Sequence, residues 1–196
     1  TEWQSAPHAG VWMSIVLDAG QAFPQLPLVV GVACARAIDG ILGSTEPLVF
    51  VKWPNDLLVM DQKVGGILCE SGPAGVIIGI GINVAVPSGG FRSDVAGLAT
   101  VLESVAGKSI IRSQLAGSML SETLSRVDGS IPLDTTWREL ERRDALIGRS
   151  VDTDEHGRGV ARGIDRAGAL VLELPVGDMR TVVSGSVRLA ATSDRG

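Results

Sequence analysis

Tyrosine is absent from this 196-residue chain, and the other aromatics are sparse, with three Phe and four Trp. Cysteine occurs twice, as Cys34 and Cys69, in apolar segments without Cys-x-x-Cys spacing. That argues against a disulfide framework and for free thiols in a reducing cytoplasm. His8 and His156 are too few and too far apart for a structural zinc. Positive charge is also short: Lys and Arg total 17 against 22 Asp and Glu, a formal net charge of −5. Attraction to a nucleic-acid backbone is therefore disfavoured. No apolar run reaches membrane-spanning length without a glycine, so no membrane contact is expected. There is no internal repeat and no low-complexity tract.

What is present suits a globular chain. It is 45% hydrophobic and 20% charged, enough apolar material for one substantial core and a small appendage. Three of the four tryptophans (Trp3, Trp12 and Trp53) lie near the start, which hints at a shared location. Residues 11–17 read as a strand. Residues 28–42 are apolar nearly all round, with Pro27 suited to a first helical turn, and read as a buried helix. Strands are expected at 48–53, 57–60 and 63–70, with a turn at 61–62. Another is expected at 74–86, where the run of Val, Ile and Gly suggests burial on both faces. Short connections make these a meander with the helix packed on one side. Helical spacing follows from 98 to 146 in three segments, the last ending at Gly148. Strands at 151–154, 159–165, 169–174 and 180–189 suggest a small β-barrel forming its own lobe. The expected fold is α+β, a mixed and largely antiparallel sheet with helices on one side plus this C-terminal barrel. The expected units are 1–147, 148–190 and a frayed tail at 191–196.

Three segments carry chemistry. In Lys52-Trp53-Pro54-Asn55-Asp56 a lysine ends a strand that proline must terminate, and Asn and Asp suit the turn that follows. Such a lysine is held where the chain changes direction, although taken alone it also fits a snorkelling surface residue. In Lys63-Val64-Gly65-Gly66-Ile67-Leu68 adjacent glycines open a strand, as a bulge or a close approach requires. In Gly79-Ile80-Gly81-Ile82-Asn83 the glycines are two apart and share one face, leaving a flat floor that ends in an amide. No third glycine opens a helix, so this is not a dinucleotide fingerprint. Two lysines, a glycine floor and an amide fit an anionic ligand with a flat apolar part.

These three motifs, in this order, closely resemble biotin protein ligase. Gly10-Val11-Trp12-Met13-Ser14 is similar to the family's strand after its biotin-binding loop, and the terminal β-lobe to its SH3-like domain. The resemblance implies a class II synthetase-like catalytic fold and a two-step acyl transfer. ATP, with Mg²⁺, activates biotin to biotinyl-AMP. A lysine of a biotin carboxyl carrier protein then takes the biotinyl group. Lys52 matches the lysine that meets the biotin carboxylate and the α-phosphate. Lys63 matches one near the phosphates, and Asn83 one near the triphosphate and its Mg²⁺. Gly79, Gly81 and Ile82 match the biotin-pocket strand, Leu57 and Trp12 its apolar wall, and Trp3 a covering tryptophan. Asn55, Asp56, Gly65, Gly66 and Ile67 complete the implied biotin and ATP site.

Two departures accompany the resemblance. The family's Gly-Arg-Gly-Arg-type run precedes the position of Trp3, and Thr1 begins where that loop ends, so a missing upstream part is expected. The family's last strand often ends in an arginine that approaches the nucleotide; Val187-Arg188-Leu189-Ala190 has alanine there, with Arg188 the possible substitute. No helix-turn-helix of the kind found in repressor members is expected within these 196 residues. The alternatives are a truncated chain that only binds nucleotide or carrier protein, and a lipoate or octanoyl transferase relative. Both monomers and homodimers occur in the family, and a cytoplasmic location is expected.

Overall fold

A computed structural model describes residues 7–73, 75–91, 93 and 97–190. Trp3 and the tail at 191–196 lie outside the described residues. Two antiparallel sheets and a helical layer account for the fold. The first sheet contains β1 (Gly10–Leu17), β2 (Phe50–Lys52), β3 (Asp56–Val59), β4 (Gln62–Gly72) and β5 (Gly75–Asn83), in the order β1-β5-β4-β3-β2. The expected meander is β2 to β5, and β1 adds to its β5 edge. The named pairs are all antiparallel, and parallel contact appears in two isolated bridges, Val51 with Asp144 and Lys63 with Ala99.

Helix α1 (Leu26–Leu42) lies across one face of this sheet. It starts with Pro27 in its first turn and ends at Gly43, whose φ of 75° suits glycine. Its near-continuous apolar sequence is explained by burial on several sides, against the sheet and against α3 (Arg112–Val127) and α4 (Leu133–Arg143). A Cβ at Gly31 would stand 3.3 Å from Val51 Cγ1, so helix and sheet approach closely there. The short helix α2 (Leu102–Ala106) precedes α3.

Helices cover only one face, and this corrects an expectation for β5. Val76, Ile78, Ile80 and Ile82 are buried, but Ile77 is 48% exposed and the two glycines are open to the other side. The strand expected at 48–53 is also shorter. The N–H groups of Leu48 and Val49 donate to Asp39 Oδ1. Asp39 is itself buried and paired with Arg143 Nη1 at 2.6 Å, tying α1, α4 and the start of β2 together. The β3–β4 turn falls on Met60 and Asp61, both at positive φ, as a two-residue hairpin turn requires.

The second sheet contains β6 (Ser150–Thr153), β7 (Gly157–Ile164), β8 (Leu170–Glu173), β9 (Met179–Val182) and β10 (Val187–Leu189), in the order β10-β6-β7-β8-β9. The strand expected at 180–189 is two strands. Gly185, at φ 112°, breaks it, and the intervening loop turns toward the first sheet. The lobes meet at the β7–β8 turn. Trp53 Nε1 donates to Gly168 O at 2.9 Å, and Gln25 Nε2 to Arg166 O at 2.8 Å.

Candidate functional site

Directly paired residues on antiparallel strands share a face. Register therefore lines up Trp12, Gly81, Gly66, Asp56 and Lys52 in one row across all five strands of the first sheet. This row lies on the face that the helices leave open. An indole stands at one end, a lysine at the other, and two glycines between them. The neighbouring row, Ser14, Gly79 and Leu68, continues the floor.

Gly79 is not required by packing. A Cβ there would meet nothing closer than Leu68 O at 3.7 Å, which is ordinary contact. Gly65 differs, because a Cβ there would fall 2.5 Å from Ile82 Cδ1 and 2.6 Å from Gly81 O. The pair Gly65-Gly66 thus does two jobs: Gly65 lets the sheet and core pack, and Gly66 lies in the floor. Gly10, which opens the Gly10-Val11-Trp12-Met13-Ser14 stretch, has Trp12 Cζ2 2.5 Å from where a Cβ would sit, so its bareness seats the indole.

Lys63 reaches this face through a β-bulge. Leu57 pairs with Gly65 and Leu58 with Lys63, which leaves Val64 as the extra residue. Strict alternation from Gly66 would send Lys63 toward the core; the inserted residue re-aims it. Lys63 Nζ then lies 2.5 Å from Asp56 Oδ1, while Lys52 Nζ donates to Asp56 Oδ2 at 3.3 Å. The Lys52 side chain is 16% exposed and that of Lys63 35%. One carboxylate is thereby held between two ammonium groups, the first well shielded from solvent.

The turn that presents Lys52 is clamped. The Trp53–Pro54 peptide is cis. Asn55 Nδ2 donates to Ile67 O at 2.6 Å, and Ile67 N donates to Asn55 O at 2.9 Å. The Asn55 amide thus secures the turn to β4.

The half-open cavity measures about 770 Å³, within the range of small-molecule sites. It gathers Trp12, Lys52, Asn55, Asp56, Lys63, Gly66, Ile67, Gly79 and Gly81 from the sequence motifs. Leu57 and Ile82 are fully buried in the core and, with Gly65 and Asn83, are not among the cavity's lining residues. Asn83 Nδ2 donates to Thr100 O at 3.3 Å, next to Lys63, whose backbone bonds Leu98 O and Thr100 N. Trp53 is buried at the lobe contact, so it does not share the location of Trp12.

Gly185, Ser186 and Val187 also line the cavity, and motif reading missed them. The pattern at 180–189 reads as one strand with these residues inside it; Ser184-Gly185-Ser186 is the sequence signal for a break. Asp154 Oδ2 fastens this loop, accepting from Ser186 Oγ at 2.9 Å and Ser186 N at 3.3 Å. Those hydrogen bonds, with the Arg188 charge, hold the Asp154 carboxyl below its usual range. Arg188 is itself exposed, 4.0 Å from Asp154, and is not among the lining residues.

The cysteines take no part. Burial pushes the Cys34 thiol up to about 12 and the Cys69 thiol to about 11. Among the described residues, no three His, Cys, Asp or Glu side chains gather as a metal site. None of the described helices is long and apolar enough to cross a membrane.

Residues 2–85 match the biotin/lipoate A/B protein ligase family, and residues 147–189 match the biotin protein ligase C-terminal domain. The biotin--[acetyl-CoA-carboxylase] ligase of Paracoccus denitrificans is 30% identical over 80% of this chain and 69% of its own length. The bifunctional ligase/repressor BirA of Bacillus spizizenii is 31% identical over 95% of this chain, which spans 60% of that relative. Biotin protein ligase from Aquifex aeolicus superposes with a TM-score of 0.82 at 25% identity, covering 93% of this chain and 83% of that one. The same enzyme in complex with biotin and ATP superposes at 0.81, again at 25% identity, covering 93% of this chain and 79% of that one. The fold and the site thus place the chain among the biotin and lipoate ligases; within that class it belongs to the biotin protein ligase family.

Proposed function

We propose that this chain carries the site at which biotin is joined to ATP and then passed to a carrier protein. Residues 1–147 would do the chemistry, and residues 148–190 would add a wall to the site. The observation that carries this is the row from Trp12 to Lys52. Its glycine floor takes a flat apolar group and its cationic end takes the group's anionic terminus. In the first step the biotin carboxylate attacks the α-phosphorus of ATP. A P–O bond forms, pyrophosphate leaves, and biotinyl-AMP remains. In the second, a lysine amine of a biotin carrier protein attacks the acyl carbon, loses a proton and expels AMP.

Lys52 meets carboxylate and α-phosphate together, where its fixed charge offsets the repulsion between two anions. Lys63 stands beside it for the phosphates. Trp12, Gly79 and Gly81 hold the ring and valeryl chain, and Trp3 would cover them. Asn83 lies at the far end of β5 and reaches the triphosphate only as it extends past the floor. ATP enters as its magnesium complex, so the ion arrives with the phosphates and needs no protein cage. Biotin and ATP come to this chain from the likeness to the Aquifex aeolicus complex, together with the site's chemistry. A cytoplasmic location fits the reactants, and a biotin-dependent carboxylase subunit is the expected carrier.

The test is run on full-length protein. Biotin, Mg-ATP and a biotin carrier domain are supplied, with streptavidin blotting for the product and pyrophosphate release for the first step. Wild type is expected to label the carrier. Lys52→Ala is expected to slow pyrophosphate release by about 100-fold or more. Near-normal release by that variant would remove Lys52 from its role, and no biotin-dependent release by wild type would remove the ligase function.

A further inference from the structure

Lys52 and Asp56 sit directly opposite each other on the β2–β3 hairpin, and Lys63 reaches the same carboxylate from β4. Each carboxylate oxygen faces a different lysine, Oδ2 at 3.3 Å and Oδ1 at 2.5 Å. All three side chains line the cavity. An acidic side chain thus occupies the place where an anionic ligand would find both ammonium groups. We propose that Asp56 is a resident counter-ion shared by Lys52 and Lys63, and that a ligand's carboxylate or phosphate binds by taking its place between them. Only the identity of the arriving anion rests on the function proposed above; the exchange itself rests on the geometry.

The exchange has a physical rationale. Two lysines brought this close repel each other, and the Asp56 carboxylate between them offsets that repulsion and helps to hold both heads in position before a ligand arrives. Coulomb energy falls only as the inverse of distance. An anion that contacts both lysines while Asp56 stays between them therefore meets a repulsion comparable to each attraction. A single carboxylate merely replaces Asp56 charge for charge, whereas a phosphate group, or a carboxylate and phosphate together, brings more charge than it displaces. Asp56 would thus select against small monovalent anions and favour phosphate-bearing ligands.

Pyrophosphate is the probe, titrated calorimetrically without divalent metal into wild type, Asp56→Asn, and the Lys52→Ala/Lys63→Ala double variant. Asparagine keeps the shape and one acceptor but removes the charge. Asp56→Asn is expected to bind pyrophosphate at least about tenfold more tightly than wild type, with a steeper loss of affinity on adding salt. The double variant is expected to lose binding. Asp56→Ser, checked for folding by circular dichroism, provides the same comparison should the asparagine variant not fold. Unchanged or weaker binding by the Asp56 variants would overturn the exchange and leave Asp56 as an organiser that stays in place. Absence of pyrophosphate binding by wild type and Asp56→Asn alike would also overturn it. Tighter pyrophosphate binding by Asp56→Asn, together with no biotin-dependent pyrophosphate release by wild type, would keep the exchange and remove the ligase function.

Discussion

Gly65 and Gly79 look alike in the sequence but serve different ends. A methyl at Gly65 collides with Ile82 Cδ1, on a fully buried side chain, and with the Gly81 carbonyl, whose position is set by the β4–β5 pairing. Gly65→Ala should therefore cost about 1–3 kcal/mol, read from the urea midpoint at unchanged slope. A methyl at Gly79 meets only ordinary contacts and projects into the cavity. Gly79→Ala should leave stability within about 1 kcal/mol of wild type while raising the Michaelis constant for biotin. Equal stability losses in both variants would show that the floor is a packing feature. At this scale the alternation of glycine and isoleucine was legible, because strand geometry alone puts residues two apart on one face. The division of labour within Gly65-Gly66 was not, because it depends on which neighbour the sheet brings opposite.

Elements re-aim side chains in ways that periodicity does not reveal. The bulge at Val64 turns Lys63 into the cavity, and the break at Gly185 turns a presumed strand interior into part of the cavity wall. That loop depends on one carboxylate. Asp154 has a depressed pKa in the folded protein because Ser186 hydroxyl and N–H donate to it, with help from Arg188. A depressed acid contributes its stabilisation above its unfolded pKa and loses it as pH falls through the folded value. The Ser186 amide resonance should therefore titrate with an apparent pKa below the ordinary aspartate value of 3.8. In Asp154→Ala the same resonance should show the released position already at neutral pH. A Ser186 amide insensitive to both changes would mean that the loop is held by Val187, which is buried, and not by Asp154.

For the whole molecule, the joint between lobes includes specific contacts at the β7–β8 turn. The β7–β8 turn sits between the start of α1 and the Trp53 indole. A Cβ at Gly168 would come within 3.2 Å of Gln25 Cγ. Arg166 adds an ion pair to Asp134 and lies 5.6 Å over the Trp137 ring. Trp53→Phe removes the one hydrogen bond its indole makes to Gly168 and leaves that carbonyl short of a partner. A loss of about 1–3 kcal/mol is expected, seen as a melting temperature lower by at least about 2 °C. Because Trp53 follows Lys52 directly, the same variant should weaken substrate binding if the joint also steadies the site. An unchanged melting temperature would show that the lobes are held elsewhere.

Local geometry and composition were enough to determine the α+β character, the meander, the lysine at a strand end and the bare floor. Each follows from propensity, turn chemistry or the two-residue period, and the motif order pointed to the family. Tertiary structure alone decided that helices would cover only one face of β5, that Asp56 would lie between two lysines, and that Trp53 would serve the lobe joint and not the ligand. It also decided that the second lobe would lend Gly185 and Ser186 to the site. Those outcomes depend on register across strands and on docking between segments far apart in the chain. Non-local contacts of that kind set where a side chain points without leaving a pattern in its neighbours.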